Sequence, residues 1–412
     1  MNRFAVAAVL VALLVGLGIA LAVTVPWAVL PGAHPVVDVA RDFTPAQVAR
    51  EQAYHGAVRP PAYTSLVVGL VLAGVLGLTP LGARLVGLVR AGWVVQTVVG
   101  VLVLMAVGRL VTLPFDARAE AAARRYGLSR QTWGSWSVDQ LKGLLVGWLL
   151  TTMVVLFAIG LARIAPRTWW VWAAGVTAAL VVAGSFAYPV LVEPVFNSFT
   201  PLPAGQLRTD LLALAERDRV PVKDVLVADA SKRTSSLNAY VSGFGSTRRI
   251  VLYDTLVATS TPQEVQLIVA HELGHAKRQD VLHGTLLGAL GSAAGVCVLA
   301  LLLSWSPLLR RAGADGPGDP RVLALVLFLV AAGTLLLAPG TNLVSRRIEA
   351  RADVHSLQLT CDVPTFVASF RRLAVTNLSD LTPNPVLYTL FSTHPSAPQR
   401  IALARAYQGR CR

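Results

Sequence analysis

Seven long stretches of this chain contain no Asp, Glu, Lys or Arg and are dense in Leu, Val, Ala and Gly. Each is long enough for an α-helix that crosses a bilayer, which needs about 17 to 25 residues. The stretches are residues 4–37, 60–83, 91–108, 143–162, 168–192, 281–309 and 322–345. A further uncharged stretch, 381–399, contains four prolines and is not expected to span. The sequence therefore predicts a mostly α, polytopic membrane protein with about seven transmembrane helices.

The overall composition agrees with a protein that is largely surrounded by lipid. Of the 412 residues, 54% are hydrophobic and 14% are charged, whereas a soluble domain carries about 25% charged residues. The net charge is +14, but the arginines are scattered singly or in pairs, without the dense basic stripe of a nucleic-acid-binding protein. The composition excludes a disordered chain and an ordinary cytosolic enzyme, and it predicts no nucleic-acid partner.

The arginines also predict the orientation of the chain, because cytoplasmic loops carry an excess of Lys and Arg. With the N-terminus outside, the basic loops 38–59 and 109–142 fall inside, and segments 193–280 and 346–412 become cytoplasmic. The first apolar stretch is longer than the core of a signal peptide, so we expect a retained anchor. The Arg/Ala/Val-rich composition is typical of a prokaryote and predicts a bacterial cell membrane.

Residues 193–280 have the composition of a water-facing domain, with ten acidic and ten basic side chains. Short β-type segments at 224–229, 238–242 and 249–253 are separated by polar turns, which predicts a small sheet. We therefore expect two domains. They are a membrane domain of five spans, 1–192, and a second domain, 193–412, which is interrupted by the spans 281–309 and 322–345.

The second domain contains a motif with the spacing of a metal site. Thr261, followed by Pro262 and by Glu264 three residues after it, predicts a helix start with a capping box. That helix runs into His271-Glu272-Leu273-Gly274-His275. Residues four apart share a helical face, so the two histidines can bind one zinc ion. Glu272 then stands where a carboxylate can act as general base toward water.

A third ligand is expected from the segment SRRIEARAD, residues 345–353. Glu349 and Asp353 are four apart and share a helical face. We predict that Glu349 completes the zinc site and that Asp353 accepts a hydrogen bond from a ligating histidine. The alternative is a charged helix whose arginines lie at the lipid headgroups. Those arginines are Arg346, Arg347 and Arg351.

The cysteines do not contribute to this site. They lie far apart in the sequence and lack the CxxC spacing of a zinc motif. The pattern predicts free thiols at Cys297, Cys361 and Cys411.

With HELGH, SRRIEARAD and the seven spans, the chain resembles the M48 zinc metalloproteases, and within them the integral-membrane CAAX prenyl protease group known as Ste24. The resemblance covers residues 40 to 410. It includes four further segments: 126–142, 194–202, 236–254 and the C-terminal Ser392-Thr393-His394-Pro395 with Arg400.

The resemblance implies a zincin-like α+β metalloprotease domain, one Zn²⁺ per chain and a peptide or protein substrate, which in this group carries a lipid. It implies that His394 and Arg400 lie close to the zinc, where either can stabilise the oxyanion. It also implies that Asn238 lies at the rim of the site. The extended substrate would add to the strand edge there, along Ala239 and Tyr240.

Two other functions remain open from the sequence. One is a quality-control protease of the HtpX type, which cuts misfolded membrane proteins and has fewer spans. The other is a sensor or transporter whose HExxH motif holds a structural zinc without turnover.

Overall fold

The computed structural model describes residues 1–243 and 248–410. Within this part of the chain the helices, in order, are α1 (Arg3–Thr24), α2 (Val39–Asp42), α3 (Pro45–Leu78), α4 (Pro80–Gly87), α5 (Trp93–Arg125), α6 (Trp133–Ile164), α7 (Trp169–Ala187), α8 (Glu193–Phe196), α9 (Gln206–Arg217), α10 (Asp254–Thr259), α11 (Pro262–Lys277), α12 (Asp280–Leu302), α13 (Ser306–Ala312), α14 (Leu323–Thr360), α15 (Val363–Thr376), α16 (Pro385–Phe391) and α17 (Ala397–Tyr407).

The predicted number of spans is confirmed. Over the described ranges, seven helical segments are long and apolar enough to cross a membrane: α1, α3, α5, α6, α7 with its continuation through α8, α12 and α14. A π-helical turn, Tyr188–Val192, joins α7 to α8. The uncharged stretch 381–399 holds α16 and the start of α17 and is not among the spans, as expected.

The bounds of several spans differ from those of the uncharged stretches. α1 ends at Thr24, well before residue 37, because Pro26 follows and Val25 is already extended. α5 continues past residue 108 as far as Arg125. Two ion pairs lie within this helix, Arg124 with Glu120 at 2.7 Å and Arg109 with Asp116 at 2.5 Å. Charge ends an apolar run but not a helix, and pairs four residues apart support the helix.

The water-facing part contains a sheet of four strands among the described residues: β1 (Phe199–Pro201), β2 (Asp224–Ala228), β3 (Ala239–Ser242) and β4 (Arg249–Tyr253). The spatial order is β1-β2-β4-β3. β2 and β4 are parallel, and the two outer pairs are antiparallel. Three of the strands match the predicted segments, β1 was not predicted, and β3 lies at an edge.

Helices α9 and α11 cover this sheet through an apolar core that includes Leu211, Ile250 and Leu273. α11 begins as predicted, with the Thr261 side chain accepting from the Glu264 amide and Glu264 accepting from the Thr261 amide. These side chains satisfy amides that a helix start otherwise leaves without partners. The helix that carries the HELGH turn therefore begins at a defined residue.

α14 is a single helix of 38 residues that contains the last span and continues into the water-facing part. It packs against α11 at Gly274, where an added Cβ would lie 3.0 Å from the ring of His355. This glycine allows the two helices to approach closely. Of the cysteines, Cys297 and Cys361 are free thiols, as predicted, and Cys411 lies outside the described residues.

Candidate active site

The HELGH motif and one carboxylate of α14 meet where α11 packs against α14. His271 Nε2 lies 3.1 Å from His275 Nε2 and 3.2 Å from Glu349 Oε2. His275 Nε2 lies 3.5 Å from Glu349 Oε1. Within residues 1–243 and 248–410, these three residues form the one group of His, Cys, Asp or Glu side chains that is close enough to hold a metal ion.

The far side of His271 is held by a buried ion pair. His271 Nδ1 lies 3.0 Å from Asp353 Oδ1, and Arg400 donates to Asp353 from Nε at 2.9 Å. Burial disfavours charge on Arg400, but the Asp353 carboxylate outweighs it and raises the pKa of Arg400. The guanidinium also stacks 4.0 Å from the centre of the Phe370 ring. Asp353 thus lies directly behind a histidine of the motif.

The far side of His275 is held in the same way by residues that sequence reasoning missed. His275 Nδ1 lies 2.9 Å from Asp280 Oδ2, and Asp280 Oδ1 accepts from Arg351 of α14. On a continuous helix, a residue five positions on lies about 140° around the axis. Here Gln279 adopts a left-handed conformation, with φ 55°, between α11 and α12. This turn brings Asp280 back to the ring, which periodicity alone does not predict.

This arrangement fits a cation. A carboxylate only accepts hydrogen bonds, so a proton on the Nδ1 of each imidazole satisfies Asp353 and Asp280. The two Nε2 atoms are then acceptors, 3.1 Å apart, beside the Glu349 carboxylate. Glu349 Oε2 is buried and makes no hydrogen bond within the described part of the chain. Three acceptors of this kind require a positive charge between them.

The electrostatics of His271 point the same way. Burial opposes a charged imidazole, but the neighbouring carboxylates of Asp353 and Glu349 outweigh it and raise the pKa of His271 to about 9. The site therefore attracts positive charge. A donor set of two imidazole nitrogens and one carboxylate oxygen is typical of catalytic zinc.

The other predicted catalytic residues face the same cavity, which has a volume of about 1030 Å³. Glu272 lines it, and burial raises the pKa of this carboxyl above its ordinary value. His394 also lines it, with Nε2 3.3 Å from Glu349 Oε1. Although the His394 side chain is 58% exposed, partial desolvation at the cavity lowers the pKa of the ring, which favours its neutral form. Arg400 instead lies on the Nδ1 side of His271, bound to Asp353.

The edge strand β3 also borders this cavity. Asn238, Ala239 and Tyr240, the residues predicted to bind substrate, are among those that line it. Among the described strands, β3 pairs with β4 alone. The Asn238 side chain accepts from the Ala239 amide at 2.9 Å, which stiffens the start of the edge.

The arginines of SRRIEARAD point mostly into the protein, in contrast to the headgroup alternative. Arg346 donates to the Ser392 carbonyl at 2.5 Å and to the Tyr388 carbonyl at 3.2 Å. Arg351 binds Asp280, while Arg347 is exposed. Arg346 thereby holds the end of α16, from which the chain leads to His394.

Seven membrane helices, and a convergent His-His-Glu group with its two histidines on an HExxH helix and its glutamate on α14, define the class of membrane metalloproteases. Residues 201–408 match the sequence profile of Peptidase family M48, and residues 35–198 match that described as CAAX prenyl protease N-terminal, five membrane helices. The chain belongs to peptidase family M48, which confirms the resemblance that the motifs predicted.

Several relatives support this membership. The "Uncharacterized metalloprotease YhfN" of Bacillus subtilis (strain 168) is 35% identical over 309 residues, which cover 74% of this chain and 72% of that protein. A "CAAX prenyl protease 1 homolog" of Oryza sativa subsp. japonica is 30% identical over 298 residues, 71% of this chain and 69% of that protein. The crystal structure of S. mikatae Ste24p has the same fold, with a TM-score of 0.79 at 20% identity over 98% of this chain and 99% of that one.

Proposed function

We propose that this membrane metalloprotease is a zinc endopeptidase with one Zn²⁺ per chain, held by His271, His275 and Glu349. The observation that carries the proposal is the convergence of these three acceptors within 3.5 Å, with both imidazoles oriented from behind by carboxylates. Zinc bound there supplies Lewis acidity, which polarises a carbonyl oxygen and acidifies water.

Glu272 is the general base in this proposal. Its carboxylate takes a proton from the attacking water and returns it to the departing amine. The raised pKa of Glu272 suits this exchange, because a general base works best when its pKa approaches the working pH.

His394 is the proposed oxyanion donor. The Thr393 hydroxyl lies 2.8 Å from His394 Nδ1. If the hydroxyl donates to Nδ1, the ring proton stays on Nε2, the atom that is turned toward Glu349. A preorganised N–H there stabilises charge as it develops on the scissile carbonyl. Arg400, tied to Asp353, supports His271 from behind.

The substrate is proposed to bind as an extended peptide along Asn238, Ala239 and Tyr240. An unpaired strand edge recognises extended chains through main-chain hydrogen bonds. Since relatives bear the name CAAX prenyl protease, peptides with a prenylated C-terminus are the first substrates to test. The HtpX-type alternative predicts unmodified membrane proteins instead, and it fits less well with seven spans.

The membrane arrangement completes the proposal. The first five spans, the fifth of which continues to Phe196, form the membrane domain, and the rest of residues 193–412, with the last two spans, forms the protease domain. The basic loop 109–142 favours the cytoplasmic side for this protease domain. Accessibility of single cysteines introduced into these loops tests the orientation.

The central test replaces Glu272 by Gln in the full chain. We expect zinc affinity to be unchanged and hydrolysis of prenylated and unmodified test peptides to fall about 100-fold or more. Glu216→Gln, at an exposed position of α9, is the matched control and should retain full activity.

Substrates should co-purify with the Glu272→Gln protein from membranes. If the zinc-loaded Glu272→Gln protein hydrolysed the peptides at the full rate, Glu272 would not be the general base. Zinc binding without turnover of any peptide would favour the sensor or transporter.

A further inference from the structure

The contacts behind His275 link three separate elements of the fold. Asp280 begins α12, and its two carboxylate oxygens have different partners: Oδ2 faces His275 Nδ1 at 2.9 Å, and Oδ1 accepts from Arg351 of α14. Arg351 also donates from Nη1 to the Thr24 carbonyl, the last residue of α1, at 3.3 Å. A motif histidine is thus connected to the end of the first span.

Burial distinguishes this chain of contacts from an ordinary surface ion pair. The side chain of Asp280 is 9% exposed and that of Arg351 is 22% exposed. The Nε atom of Arg351 is buried without a hydrogen-bond partner in the described residues. Because Arg351 holds one oxygen of Asp280, the other stays directed at the ring. A carboxylate so held fixes the tautomer and the orientation of an imidazole.

We propose that Asp280 is a positioning residue for the metal site, and that Arg351 holds it against the C-terminal end of α1. Asp280 keeps the proton of His275 on Nδ1, so that the Nε2 lone pair faces His271 and Glu349. The inference rests on the proposed zinc site and extends it. It assigns to the first span a part in the geometry of the catalytic centre.

The consequence of replacing Asp280 follows from hydrogen-bond chemistry. An Asn side chain can turn its NH₂ group toward Nδ1, which then becomes an acceptor and leaves the ring proton on Nε2. That tautomer cannot bind a metal through Nε2. Loss of a carboxylate behind a ligating histidine typically costs about 10–100-fold in metal affinity.

The experiment compares Asp280→Asn with Asp224→Asn in the full chain in detergent micelles. Asp224 also pairs with an arginine, Arg208, at 2.8 Å, but it lies on β2 and outside the cavity lining. Zinc affinity is measured by competition with a chromophoric chelator, and the visible spectrum is recorded with cobalt in place of zinc. We expect Asp280→Asn to bind zinc about 10–100-fold more weakly with altered cobalt bands, and Asp224→Asn to match the unaltered protein.

Thermal unfolding of the metal-free proteins separates positioning from general stability. If Asp280→Asn lowers the melting temperature but leaves zinc affinity within twofold of the unaltered protein, Asp280 is merely a structural ion pair and the inference is wrong. If Asp280→Asn does not fold, Arg351→Ala decides, because Asp280 is then present but not held. Weakened zinc binding supports the inference, and unchanged binding overturns it.

Failure of the underlying zinc site gives a different result. Glu349→Ala removes the proposed ligand and leaves Asp280 in place. If Glu349→Ala binds zinc as tightly as the unaltered protein, the proposed site itself is wrong and the inference falls with it. If Glu349→Ala weakens zinc binding and Asp280→Asn does not, the proposed zinc site is correct and the positioning role of Asp280 is wrong.

Discussion

The two motif histidines are held by the same chemistry in two different surroundings. Behind His271, Asp353 and Arg400 lie in the protein interior, where the Asp353 side chain is 0% exposed. Behind His275, Asp280 and Arg351 lie next to the end of α1, and Arg351 is 22% exposed. The distances from Nδ1 to carboxylate are nearly equal, 3.0 and 2.9 Å. The distance from ring to carboxylate is thus nearly the same in the two pairs, whereas their access to solvent differs.

The difference in solvent access determines how much each pair contributes to folding stability and to metal binding. An interior charge that loses its partner cannot be rehydrated, so breaking such a pair costs about 3–5 kcal/mol. A charge at a boundary regains part of its hydration from water. The interior pair should therefore contribute to folding and to metal binding, and the boundary pair mainly to metal binding.

The largest effect is expected from Asp353→Asn. This change leaves the Arg400 charge unpaired in the interior, and it should lower the free energy of unfolding by about 3–5 kcal/mol and weaken zinc binding. Denaturant unfolding in micelles measures the first effect. The double variant Asp353→Asn with Arg400→Gln removes the stranded charge and should recover part of the stability. Equal stability losses for Asp353→Asn and Asp280→Asn would contradict the distinction between the two pairs.

A smaller effect is expected from a substitution at the contact between α11 and α14, on which both pairs depend. Gly274→Ala adds a Cβ 3.0 Å from His355 and forces α11 away from α14. Overpacking of this kind costs about 1–3 kcal/mol, and it moves both histidines relative to Glu349. Zinc affinity and the free energy of unfolding should both fall. Gly291→Ala is the control, since nothing lies within 4 Å of a Cβ there. Identical behaviour of both variants would show that the close contact is unimportant.

The sequence predicted those parts of the site that follow from a continuous helix. His271 and His275, and likewise Glu349 and Asp353, are four residues apart, so helical periodicity brings each pair to one face. The capping box at Thr261 defined where that periodicity begins. Neighbours along one helix are determined locally, so each pair lies on one face, whereas the meeting of the two pairs depends on the packing of α11 against α14.

What the sequence did not predict depends on breaks and on long-range packing. Asp280 reaches His275 because Gln279 is left-handed, a conformation rare for residues other than glycine. β1 has three residues and exists through its pairing with β2. The proximity of His394 to Glu349 came only from the family resemblance, because contacts between residues 45 positions apart leave no periodic signal.

A double-mutant cycle sharpens the comparison between the pairs. Residues in direct contact show coupling of about 0.5–3 kcal/mol. We expect the coupling between Asp353 and Arg400 to lie near the top of this range, and that between Asp280 and Arg351 lower, because solvent reaches Arg351. Unfolding of the single and double Ala variants gives both values. A reversed order would mean that solvent access does not govern these pairs.

The smallest effect is expected from Arg351→Lys. Lysine keeps the positive charge beside Asp280, but it lacks the planar fork that reaches Asp280 and the Thr24 carbonyl together. Zinc binding should therefore weaken less than in Asp280→Asn, because the carboxylate remains behind His275 and is only held less firmly. Chelator competition measures the change, and Arg347→Lys, at an exposed position of the same helix, should have no effect. If Arg351→Lys weakens zinc binding as strongly as Asp280→Asn, the guanidinium rather than the carboxylate determines the orientation of His275.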